Sequence, residues 1–176
     1  MKYMKFLAMI LTSTIAMFIM MYLNTYAASH VWFSETRTYM ALYMGAGMAI
    51  IMLVFMLGMY TNKKLNIAIL LSALVIFAGC IYLVRSQTTV SDSAYMKAMI
   101  PHHSIAILTS ERANIEDIRV RELANEIIKA QRKEIKEMEW LIQDIAENGK
   151  VTSATEADQR RIPDFKGRVN KANGDE

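Results

Sequence analysis

Hydrophobic and polar positions divide the chain near residue 85. Before that point three long runs carry no charge: Phe6 to Leu23, Thr38 to Tyr60 and Leu65 to Val84. A run of about 20 apolar residues lets a helix cross the hydrocarbon core with every backbone polar group paired inside the segment. The pattern predicts three transmembrane helices over about 6–23, 38–60 and 65–84. Beyond residue 85 the apolar positions become periodic. Asp92, Met96, Met99, His103, Ala106 and Ser110 alternate spacings of four and three, which places them on one face of a helix from about 91 to 113. Ala124, Ile128, Gln131, Ile135, Met138, Ile142 and Ile145 do the same on a second helix ending near Glu147. Asn114 to Asp117 reads as the break between them, with Asn and Asp suited to cap the second helix. Asn148-Gly149 reads as the stop. Pro101 falls inside the first pattern, so that helix either kinks there or restarts with Pro101 in its first turn.

These elements define an all-α chain in three parts. Residues 1–85 form a membrane domain, 86–149 an antiparallel helical hairpin, and 150–176 a polar tail expected to lack order. Two helices alone bury too little surface to be independently stable. The hairpin is therefore expected to pack on a second copy of itself, on the bilayer surface or on another membrane or periplasmic protein.

Charge orients this arrangement. Residues 1–85 carry Lys2, Lys5, Arg37, Lys63, Lys64 and Arg85 against the single acid Glu35. The rest of the chain is slightly acidic, so the basic balance comes from membrane-flanking residues and gives no nucleic-acid-binding face. Lys2, Lys5, Lys63 and Lys64 mark the cytoplasmic side under the positive-inside rule. The N-terminus is then cytoplasmic, and everything after Ser86 lies outside the cytoplasmic (inner) membrane, in the periplasm if the cell has one. The first run is read as a retained anchor. The alternative is a signal peptide cut after Ala27, but the apolar core is longer than such peptides use. The lone cysteine, Cys80, sits in the third span and gives no disulfide framework.

The candidate chemistry is concentrated in Met99-Ile100-Pro101-His102-His103. Thioether sulfur and imidazole nitrogen together suit Cu(I) and similar soft ions. Met96, Met99 and His103 share a helix face, His102 borders it, and Met138 lies on the facing helix. Asp92, Gln131 or Glu134 could hold the second nitrogen of a ligating imidazole. The competing reading makes the methionines adaptable core filler and the histidines part of a kink. No carboxylate di-iron pattern and no Ser–His–Asp or Cys–His arrangement is legible, and Ser104 and Thr109 have no visible role. In the second span Met40, Met44, Met48, Met52 and Met56 recur every four residues, either as apolar packing or as a soft-ion path. Gly45 and Gly47 beside them suggest close helix contact. His30, near Trp32, is read as an interfacial residue.

Residues from about Ser91 to Ile145 resemble the domain-of-unknown-function family numbered 305. The resemblance rests on Met99-Ile100-Pro101-His102-His103, then Ala106, Leu123-Ala124, Ile127-Ile128, Gln131, Glu134-Ile135 and Met138. It implies a ferritin-like helical bundle and, from some secreted or periplasmic members, copper binding, with Met99, His102, His103 and Met138 at the matching positions. Two departures stand out. Ser104-Ile105-Ala106 follows the histidine pair where many members have Gln-Gly-Ala, and Thr109 falls where they have a further Met. Many members also hold two helix pairs, where this chain has one, which again points to self-association. The expectation is a membrane-anchored copper-binding protein for sequestration or handover, without turnover chemistry. The alternatives are an interaction module in which the His-Met cluster only packs, and a redox metalloenzyme.

Overall fold

The computed structural model describes residues 2–169. Among these residues the chain forms six α-helices, one short 3-10 turn and no strand. The helices are α1 (Lys2–Met20), α2 (Glu35–Phe55), α3 (Lys63–Ser86), α4 (Asp92–Arg112), α5 (Ile118–Asn148) and α6 (Ala154–Gln159). They divide into two units. Among the described residues, one comprises 2–23 and 34–90; the other comprises 24–33 and 91–169.

In the first unit α1, α2 and α3 are each long and apolar enough to cross a membrane. The starts of α2 and α3 differ by a few residues from the uncharged runs because caps, not charges, set them. Ser34 Oγ accepts from the Arg37 N–H at 3.2 Å, and Asn62 Oδ1 accepts from the Leu65 N–H at 3.1 Å. α2 packs against both of its neighbours. Phe6, Ala46, Ala49, Leu53, Tyr60 and Ala73 form the core. Small residues allow the close approach: a Cβ on Gly45 would run into Thr14 Oγ1 of α1, whereas one on Gly47 would meet Phe77 at an ordinary 3.6 Å. Thr14 satisfies its own hydroxyl by donating to the Ile10 carbonyl at 2.8 Å. Tyr3 donates to Asn66 Oδ1 at 2.8 Å, and Asn66 Nδ2 donates to the Tyr60 carbonyl at 2.7 Å. Leu11, Ile15, Ile51, Val54, Leu71 and Val75 point outward, as a lipid-facing surface requires.

In the second unit α4 and α5 pack along each other. Asp92 at the start of α4 pairs with Lys150 just beyond α5 at 2.6 Å. At the other end Arg121 donates to the Ser110 and Ala113 carbonyls. Ser91 and Asp117 cap the two helices, and Gly149 ends α5 with φ +79°. α4 runs unbroken through a buried Pro101, so no new helix begins there.

Its buried face differs from the expected stripe. Met96, Ile100, Ser104 and Ile107 point inward, while Asp92 is exposed and Met99, His103, Ala106 and Ser110 are half-buried. The cause is a third layer: residues 24–33 belong to this unit, and Tyr26 and Trp32 pack on the α4–α5 core. α5 keeps the expected pattern, with Ala124, Ile128, Ile135 and Met138 buried.

The segment after Gly149 also departs from expectation. Up to residue 169 it is packed back along α5. Arg160 pairs with Asp144, the Lys166 carbonyl accepts from Lys136, and the Arg168 carbonyl accepts from Arg132 at 2.7 Å. A Cβ on Gly167 would overlap the Lys129 carbonyl oxygen, so glycine is required for this contact. Residues 170–176 of the expected tail lie outside the described residues.

Candidate functional site

His103 is the best-positioned of the expected ligands. Its Nδ1 lies 2.8 Å from the Met99 carbonyl oxygen, one helical turn back. A carbonyl only accepts, so Nδ1 carries a proton, and Nε2 is the nitrogen a metal ion would take. Nε2 lies 2.8 Å from Glu134 Oε2. A carboxylate oxygen and a ring nitrogen each about 2 Å from one ion would sit slightly further apart than this, so a small opening would let them share it. Glu134 therefore stands either as a co-ligand or as the partner that an imidazolium needs.

The remaining expected residues are spread around this point. His102 is exposed on α4, its ring centroid 6.1 Å from that of His103. Met96 and Met138 lie in the apolar cluster with Ile100, Ile107 and Ile135, and Met99 packs at its edge. Gln131 is half-buried on α5. Asp92 is held far along α4 by Lys150, whose hydrogen bond keeps its carboxyl below the usual carboxylate range. Among the described residues no three His, Cys, Asp or Glu side chains gather closely enough to hold a metal ion. Of the expected residues, Glu134 is the one placed within hydrogen-bonding distance of His103 Nε2.

Residues 24–33 bring a second histidine arrangement. Ser104 is fully buried, and its Oγ accepts from the Tyr26 N–H at 2.7 Å and meets His30 Nδ1 at 2.9 Å. The hydroxyl can accept from both or give its own proton to Nδ1, so the imidazole tautomer sets the direction of the second bond. Burial holds the His30 pKa below its usual value, against the charge of Glu139 and with that of Arg132. Arg132 in turn pairs with Glu111 and donates to Tyr26 Oη at 3.2 Å. Sequence reasoning missed His30, Tyr26 and Ser104 as one group because 74 to 78 residues separate their partners. The one available signal was a serine in place of an apolar residue on the buried face of α4.

Residues 86–173 match the family model for a domain of unknown function, DUF305, and this half of the chain makes the protein a member of that family. The chain is also similar to uncharacterized protein L153 of Acanthamoeba polyphaga mimivirus, 30% identical over 145 residues, covering 77% of this chain and 91% of the relative. A match of that length is too long to lie in the family domain alone, so it reaches into the apolar half as well. No solved structure is significantly similar to the chain.

Proposed function

We propose that this protein is a membrane-anchored binding protein for copper or a similarly soft ion, which it sequesters or hands over outside the cytoplasmic membrane. The observation that carries the reading is His103. Its Nδ1 is tied to a backbone carbonyl, which is how ligating histidines are usually oriented, and its Nε2 stands at the edge of the fold beside Glu134 and next to His102. Met99 would add sulfur. Met96 and Met138 would form the apolar wall behind the ion and become ligands only if the core opened.

Topology supports the placement. Residues 24–33 and 91–169 form one unit, and α2 and α3 lie between them in the chain. Two crossings return the chain to the same side, and the lysines at 2, 5, 63 and 64 assign the opposite side to the cytoplasm. The α4–α5 pair, as a ferritin-like half-bundle, would complete a four-helix bundle with a second copy. That association would bring a second histidine pair to the assembly.

The test is Cu(I) titration of the full chain in detergent under reducing conditions, beside the His102→Ala/His103→Ala double variant and Glu134→Gln. The double variant is expected to lose the tight site. Equal affinity in wild type and double variant ends the copper reading. A second reading has its own observation: both His103 nitrogens already have partners inside the protein, and Met96 and Met138 pack in the core. If the double variant lowers thermal stability while leaving copper affinity unchanged, the cluster is packing and the domain is an interaction module.

A further inference from the structure

We infer that the cleft between residues 26–30, α5 and the returning C-terminal segment binds the phosphate group of an anionic amphiphile. The cleft has a volume of about 450 Å³ and lies within the second unit. Its apolar lining is half-buried Tyr26 and Ala27 together with the almost fully buried Ile107 and Ile135. Its charged lining includes Lys136 and Arg168. Lys136 gives one hydrogen bond to the Lys166 carbonyl, which leaves two of its three protons for a ligand. Arg168 enters the structure's bonding through its backbone carbonyl, and its exposed side chain is available.

The wall that presents these cations is built rather than incidental. The Lys166, Gly167 and Arg168 backbone is fixed on α5 by two carbonyl contacts and by a glycine that admits no side chain. The opposite wall contributes His30, whose Nδ1 is taken up by buried Ser104. Arg132 also lines the cleft, but its charge is matched by Glu111. Glu139 is the one carboxylate in the lining and opposes an anion. Two cations against one carboxylate favour a phosphate over a cation. The apolar lining favours a phosphate that carries hydrocarbon, as an anionic lipid does, over inorganic phosphate. The inference does not rest on the metal reading, since none of these residues belongs to the His102–His103 cluster.

The experiment measures binding to the full chain in uncharged detergent by calorimetry. The probes are short-chain phosphatidylglycerol, phosphatidylcholine of the same length and glycerol phosphate. Phosphatidylglycerol is expected to saturate, with affinity about tenfold weaker in Lys136→Gln/Arg168→Gln, the scale of losing charge-assisted hydrogen bonds. Gly167→Ala, which displaces the Arg168 wall, should weaken it too, and Glu139→Gln should tighten it. Glycerol phosphate binding as well as the lipid, with the same dependence on Lys136 and Arg168, upholds the phosphate site and makes its source a free ester. Equal binding of phosphatidylcholine, or no change in the double variant, overturns the inference.

Discussion

The two units solve opposite solvation problems with much the same residue types. In the apolar unit, large side chains such as Leu11, Val54 and Leu71 face outward, and the core is lined with alanines and Gly45. Polar groups there are few and closed on local partners, as with Asn66, Tyr3 and the Tyr60 carbonyl. In the polar unit, isoleucines fill the core and charges lie outside in pairs such as Asp92–Lys150. Methionine is used in both: Met52 and Met56 pack on the first core as Met96 and Met138 do on the second. Thioethers at helical spacing are therefore weak evidence for a metal by themselves. The fixed geometry of its two nitrogens separates His103 from that background.

The contrast can be broken from either side. The largest effect is expected from Ile107→Ala, which removes a fully buried side chain where α4, α5 and the cleft lining meet. It should destabilise the polar unit by roughly 2–5 kcal/mol. Both tryptophans, Trp32 and Trp140, lie in that unit, so denaturant unfolding followed by tryptophan fluorescence reads it selectively. Unchanged fluorescence midpoints would place the core elsewhere.

Gly45→Ala should cost about 1–3 kcal/mol through overpacking against Thr14. It should spare the tryptophan signal and speed proteolysis of the apolar unit in detergent. Thr14→Ala in the same chain should restore resistance. Without that rescue, the α1–α2 contact does not depend on this pair.

The smallest effect concerns pH. His30 has a folded pKa below its unfolded value, chiefly through burial, so the unfolded chain binds the proton first. Stability of the polar unit is full above the ordinary histidine pKa of about 6.5 and falls as pH drops through it toward the lowered folded value. Thermal melts at pH 7.5 and 5.5 should show a small loss in the native chain and less in His30→Gln. An equal loss in both would assign the pH dependence to other groups.

The legible parts of the fold were those written locally. Uncharged runs mark α1, α2 and α3, and a strict apolar stripe marks α5. Asp117 and Gly149 punctuate its ends. α4 was harder because it is covered from two directions. A stripe chosen for one partner misplaces Ile100, Ser104 and Ile107, whose face is also covered by residues 24–33. Of the candidate site, the His103–Glu134 approach follows from helix spacing. His30 on Ser104 depends on a contact between segments with no local signature. The return of residues 150–169 was hidden because their docking uses backbone carbonyls and a glycine, which leave no hydrophobic pattern to read.

The position of residues 24–33 has a consequence for how the chain is made. The hydrogen bond between Arg132 and Tyr26 joins residues 106 positions apart. When the ribosome has finished α1, the helices that cover Tyr26, His30 and Trp32 do not yet exist. These residues must wait through synthesis of α2 and α3 before α4 and α5 emerge to receive them. The second unit thus closes around a segment made before α2 and α3, and its completion can come only after both have been synthesised. A chain stalled or truncated before α5 would carry an uncovered aromatic loop between α1 and α2, a defect that a quality-control protease could recognise.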